Sequence, residues 1–131
     1  MPEQIPDDLG GVGRGWHPLL LELHEDLRAL IPDYRVTQVK EKYGTLRVYL
    51  VSGLLRGPYL ETGTLPSEEE SKRMAWQDRQ ASRLVHAAEE RSGTICEACG
   101  APGEPRKGAW IKTLCDTCHG QRPRRPARPA R

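Results

Sequence analysis

Between residues 16 and 31, apolar side chains recur at helical spacing. Trp16, Leu19, Leu20, Leu23, Leu27 and Leu30 fall at offsets of three, four and seven, which places them on one helix face. Glu22, Glu25, Asp26 and Arg28 fall mostly on the opposite face. Pro18 suits the first turn, where a missing N–H costs nothing, and Pro32 ends the pattern. From Tyr34 to Ser52 the period shortens. The stretch YRVTQVKEKYGTLRVYLVS is rich in Val, Thr and Tyr, alternates partly between apolar and charged, and predicts a hairpin turning at Tyr43-Gly44-Thr45. Leu46, Val48 and Leu50 share one face of the second strand; Arg47, Tyr49 and Val51 share the other. Val36 and Val39 fall on opposite faces of the first strand, which predicts a bulge or two half-buried faces.

The flanking segments follow from breakers and caps. Residues 1–14, rich in Pro, Asp and Gly without a period, read as an irregular arm. Residues 53–66, with three Gly and two Pro, read as a loop with a short extra strand around Tyr59-Leu60. Ser67 with Glu70 three residues on is a capping-box signature and predicts a helix from Glu68 to about Arg91, stopped by Ser92-Gly93. Met74, Ala81, Leu84, Val85 and Ala88 give it a thin apolar stripe of mostly small residues. The elements predict an α+β fold: a helix–hairpin–helix body over residues 15–95, followed by a distinct C-terminal unit.

Composition sharpens this picture. Only 25 of the 131 residues are Leu, Val or Ile, and Phe is absent, so the core is thin. The length excludes a large enzyme scaffold, and no apolar run reaches the roughly 20 residues of a membrane span. The opening residues MPEQIPDDLGG show no secretory pattern, and the expected location is the cytoplasm. The net charge of +2 conceals an asymmetry. Residues 1–95 carry 12 Lys or Arg against 15 Asp or Glu, whereas residues 96–131 carry eight against three. The last eleven residues, QRPRRPARPAR, hold five Arg and three Pro and read as an extended, disordered tail over residues 121–131.

All four cysteines lie in this basic part, as Cys96-x2-Cys99-x15-Cys115-x2-Cys118. Two residues between thiolates let both sulfurs of a tight turn reach one ion, and two such knuckles complete a tetrahedron. The spacing predicts one structural zinc over residues 96–120, with Gly100 supplying an open backbone after Cys99 and Trp110 shielding one side. Two disulfides are disfavoured in a reducing compartment, and a redox Cys-x-x-Cys lacks its βαβ setting. Spacing leaves iron open as the metal. His119 could replace a cysteine as ligand, support the ligands from behind or contact an anion, but reads first as an exposed histidine without a fixed role; His17, His24 and His86 read as helix surface or satisfied core-edge residues.

The second knuckle, Leu114-Cys115-Asp116-Thr117-Cys118-His119, resembles that of HNH-type endonucleases. Their catalytic His lies between the knuckles, where this chain reads GAPGEPRKGAWIKTL, without His, Asp or Asn. The nuclease carry-over therefore stops there, and no catalytic residue is assigned. Trp110 and the following Leu-Cys-x-x-Cys are similar to GATA-type treble-clef fingers, although Pro123 leaves room for only about one turn of a recognition helix. Across residues 16–119, the segments Gln38-Val39-Lys40-Glu41-Lys42-Tyr43-Gly44-Thr45-Leu46-Arg47 and Cys96 to Cys115 resemble uncharacterised small bacterial and phage-encoded zinc-ribbon proteins. That resemblance implies a zinc ribbon or treble-clef-like module and no particular activity.

The charge pattern predicts a small accessory or regulatory protein that binds nucleic acid with low sequence specificity. Arg106, Lys107, Lys112, Arg122, Arg124, Arg125, Arg128 and Arg131 are the candidate phosphate contacts. The alternative is an adaptor that docks on a host or phage protein through the second helix or the hairpin, with zinc only holding its shape. No nucleophile–base pair, phosphate loop or carboxylate pair points to an enzyme.

Overall fold

A computed structural model describes residues 3–108 and 110–122. Helix α4 (Glu68–Ser92) packs on an antiparallel hairpin, β1 (Val36–Lys42) and β2 (Thr45–Leu50), and helix α1 (His17–Leu30) packs on α4. Two one-turn helices, α2 (Gly53–Arg56) and α3 (Tyr59–Thr62), bridge the hairpin to α4. Strands β3 (Glu104–Arg106) and β4 (Lys112–Leu114) form a second small sheet, followed by the short helix α5 (Asp116–Gly120). The architecture is α+β, with the four cysteines gathered in its C-terminal part.

The helical face read from α1 is the buried one: Leu19, Leu20, Leu23 and Leu27 join Val36, Val39, Leu46, Val48, Ala81, Val85 and Ala88 in one core. Ile5, Trp16, Ile31 and Tyr34 complete the same core, and each fully buried Leu, Ile or Val contributes about 1.5–3 kcal/mol. The small residues of α4 let it lie close to α1 and β2. Both Val36 and Val39 point inward because the register shifts between Val36 and Gln38; the bulge adds the residue that brings both valines to one face. Ser67 caps α4: its hydroxyl accepts from the Glu70 N–H at 3.1 Å and donates to the Glu70 carboxylate at 3.2 Å.

A two-stranded sheet has two open edges, and here side chains meet outward N–H groups on both, joined on β1 by the backbone of Glu3. Along β2, the Leu46 N–H donates to Ser92 Oγ at 2.9 Å and the Val48 N–H to Glu89 Oε2 at 3.1 Å. Along β1, the Val39 N–H donates to Asp8 Oδ2 at 2.9 Å, and Glu3 pairs with Val36.

Three sequence expectations need correction. The N-terminal segment is not an irregular arm: Ile5–Gly11 is 3-10 helical, and Ile5 is wholly buried in the core. Its order comes from long-range partners. Gln4 donates to the Pro32 and Tyr34 carbonyls, and the Ile5 N–H donates to the Tyr34 hydroxyl. No strand forms at Tyr59-Leu60; the Gly- and Pro-bounded stretches close into α2 and α3, each a single turn. Trp110 does not bury itself as a shield. It is 54 % exposed, and Arg122 lies over its ring at 5.4 Å. The histidine readings are more accurate. His24 is buried and hydrogen-bonded to the Tyr34 hydroxyl, and His17 Nε2 meets the Leu9 carbonyl. Among the described residues, no helix is long and apolar enough to cross a membrane.

Candidate metal centre

The two Cys-x-x-Cys turns are held by their own backbones. In the first, the Gly100 N–H donates to the Cys96 carbonyl at 2.9 Å and the Cys96 N–H to the Ala101 carbonyl at 2.7 Å. Gly100 closes this turn at φ 86°, a left-handed conformation that a side chain would strain. In the second, Cys115 stands at the N-terminus of α5. Its sulfur accepts from the Cys118 N–H at 3.4 Å, and its carbonyl accepts from the His119 N–H at 2.9 Å.

The turns converge. The sulfurs of Cys96, Cys99, Cys115 and Cys118 all lie within 4.8 Å of one another, and Cys99 and Cys115 are 3.7 Å apart. A disulfide would need about 2.05 Å, and all four cysteines are free. Four sulfurs at about 2.3 Å from a common centre would sit roughly 3.8 Å apart, close to the Cys99–Cys115 separation. The donor set and its spacing therefore fit a tetrahedral metal ion.

The electrostatics point the same way. Burial pushes the Cys96 thiol up, but backbone hydrogen bonds from Cys115, Cys99 and Ala98 outweigh it and bring the thiol down to about 6. Cys118 is pushed up to about 12, chiefly by hydrogen bonding to Cys115, then to Cys99 and Cys96. Four sulfurs gathered this closely repel one another once they carry negative charge. A central dication would relieve that repulsion.

Glu97, inside the first knuckle, ties this site to the body. It is 6 % exposed and grips both the segment before α1 and strand β4. Its carboxylate accepts from the Gly13 N–H at 3.0 Å and pairs with Lys112 Nζ at 3.4 Å. Its backbone accepts from the Gly15 N–H at 2.7 Å and donates to the Thr113 carbonyl at 3.0 Å. The Trp16 indole N–H donates to the Ile95 carbonyl at 2.8 Å, and the Thr113 hydroxyl donates to the Gly44 carbonyl at 2.6 Å in the hairpin turn. The chain before α1 and the tip of the hairpin thus both rest on the cysteine-bearing part. Nothing in the sequence singled out Glu97, because an acid within a Cys-x-x-Cys turn reads as solvent-facing.

The candidate phosphate contacts divide. Arg106 is held between Asp116 at 2.7 Å and Glu104 at 3.2 Å, and Lys112 is held by Glu97. Lys107 is exposed. Arg122 is partly exposed, stacks on Trp110 and donates to its carbonyl at 2.8 Å. Arg124, Arg125, Arg128 and Arg131, with the disorder expected for the tail from Pro123 onward, lie outside the described residues. No family model, curated protein or solved structure matches the chain.

Proposed function

We propose that Cys96, Cys99, Cys115 and Cys118 bind one zinc ion, and that the protein is a small zinc-stabilised accessory protein binding nucleic acid with low sequence specificity through its basic C-terminal part. The observation that carries the metal assignment is the convergence of four free sulfurs within 4.8 Å. Soft thiolates select zinc over calcium or magnesium. Four protein ligands fill a tetrahedral zinc and leave no position for water, so the ion's role is architectural. A Cys-x-x-Cys turn, a short β3–β4 hairpin and a second knuckle opening a helix follow in the order of a treble-clef-like module. Free metal-binding thiols suit a reducing compartment, which agrees with a cytoplasmic location.

The nucleic-acid reading is supported by the excess of Lys and Arg beyond residue 95, by the exposure of Lys107 and by the partial exposure of Arg122. The carboxylates around Arg106 and Lys112 reduce their availability to phosphate, so the contact rests on Lys107, Arg122 and the tail. A mobility-shift series across salt concentration tests it. Binding that weakens steeply with salt and is lost on truncation after Gln121 is the expected result; no complex with duplex or single strand at low salt would reject it.

A protein-docking role is the second reading. It is favoured by an open groove of about 440 Å³ lined by Leu54, Leu65, Pro66 and Met74 beside the N-terminal half of α4. One stoichiometric partner retained after nuclease treatment, and lost on Leu65→Asp, is its expected signature.

A further inference from the structure

We propose that the outward face of the β1–β2 hairpin is a contact surface for single-stranded nucleic acid, with Tyr43 and Tyr49 as base-stacking platforms and Lys40 and Lys42 as phosphate contacts. This rests on the nucleic-acid reading above and assigns it a surface away from the tail.

The face follows from the register. Gln38 pairs with Tyr49, Lys40 with Arg47 and Lys42 with Thr45, and these pairs alternate with the inward Val39–Val48 and Glu41–Leu46 pairs. Cations and an aromatic ring therefore share one side of the ribbon. Tyr49 is 41 % and Tyr43 71 % exposed. Lys40 Nζ lies 5.5 Å from the Tyr49 ring centre and Lys42 Nζ 5.6 Å from that of Tyr43. Neither lysine forms an ion pair among the described residues. The remaining cation–ring pair, Arg122 on Trp110, adjoins the tip of the same hairpin, since Gly44 packs against Ile111, the next residue after Trp110.

A second, independent observation concerns Tyr43. Among the described residues it is the only non-glycine with positive φ, at 53°, followed by Gly44 at 84°. Two positive φ values define a two-residue turn that Asn-Gly fills best, and a bulky residue is costly in the first position. Its ring buries little in return. Such strain at an exposed aromatic is characteristic of a functional position. Extended single strands present unpaired bases to aromatic rings and phosphates to adjacent cations, and a lysine can leave a ring for a phosphate as a base takes its place. An acidic peptide would engage the lysines but leave the two rings without a purpose.

The test uses zinc-loaded full-length protein and fluorescence anisotropy of a labelled oligothymidylate of about twelve nucleotides, with a duplex of equal length and polyglutamate as competitors. Tyr43→Asn and Tyr49→Ala should each weaken oligothymidylate binding by about tenfold. Lys40→Gln and Lys42→Gln should each flatten the logarithmic salt slope by about 0.7. Tyr43→Asn should also raise the melting temperature, because Asn suits the turn; a gain in stability with a loss of binding cannot come from unfolding. Unchanged binding in both tyrosine variants, with loss on truncation after Gln121, overturns this surface and leaves the tail reading intact. Polyglutamate competing as well as the oligonucleotide also overturns it. Absence of binding by the wild-type protein overturns both.

Discussion

Single residues at the junction between the N-terminal chain and the first knuckle carry the strictest steric demands. A Cβ at position 15 would stand 2.1 Å from the Cys96 carbonyl oxygen and 2.6 Å from that of Glu97. Backbone atoms cannot yield as a side chain can. Gly15→Ala should therefore cost about 1–3 kcal/mol and weaken metal retention, as read from thermal unfolding of zinc-loaded protein and from competition with a chelating dye. Ser92 satisfies the buried Leu46 N–H, so Ser92→Ala strands that donor and should cost about 1–3 kcal/mol in the same assay. At the start of α4, the Tyr59 hydroxyl donates to the Glu70 carboxylate at 2.7 Å. Together with Ser67 it holds that carboxyl below the usual range. Because the folded value is the lower one, this contribution is present above the unfolded carboxyl's value and disappears as pH falls through the folded one. Tyr59→Phe should shift the Glu70 titration upward in an NMR pH series; an unshifted titration would show that the hydroxyl contributes nothing.

Among elements, those with a strong period were readable and those ordered by distant partners were not. The α1 face, the Ser67 cap and the β1 bulge were legible because Leu spacing, Ser-x-x-Glu and the misplaced Val36–Val39 pair each report on local geometry. The Ile5–Gly11 helix was missed because what fixes it, the Tyr34 hydroxyl and the Pro32 carbonyl, lies about thirty residues away. Trp110 was misread for a related reason. Its neighbour Arg122, rather than the sulfur cluster, takes its ring. The sulfur cluster itself was fully legible, since Cys-x-x-Cys spacing constrains geometry directly. The way it is bound to the body was not, because neither Glu97 nor Thr113 has a local signature. That linkage yields its own expectation. Thr113→Val removes the buried bond to the Gly44 carbonyl and should loosen the hairpin turn from β4, with a loss of about 1–3 kcal/mol and faster amide exchange at residues 43–46.

At the scale of the whole molecule, hydrogen bonds join a thin apolar core to a four-sulfur site. The N-terminal chain rests on the first knuckle through Gly13, Gly15 and Trp16, and the hairpin tip rests on β4. Structural zinc contributes about 10–16 kcal/mol of apparent binding energy in small domains, enough to decide whether a body this sparse is folded. Stripping the metal should therefore unfold α1 and the hairpin together with the C-terminal module, in a single transition by circular dichroism. A body that kept its helical signal after chelation would show that the two parts fold independently. The most direct measurement is the metal content of protein purified without added metal or chelator. One zinc per chain, with thiols that become reactive only after its removal, is the predicted result. A chain that is folded, metal-free and bridged by two disulfides would contradict the account.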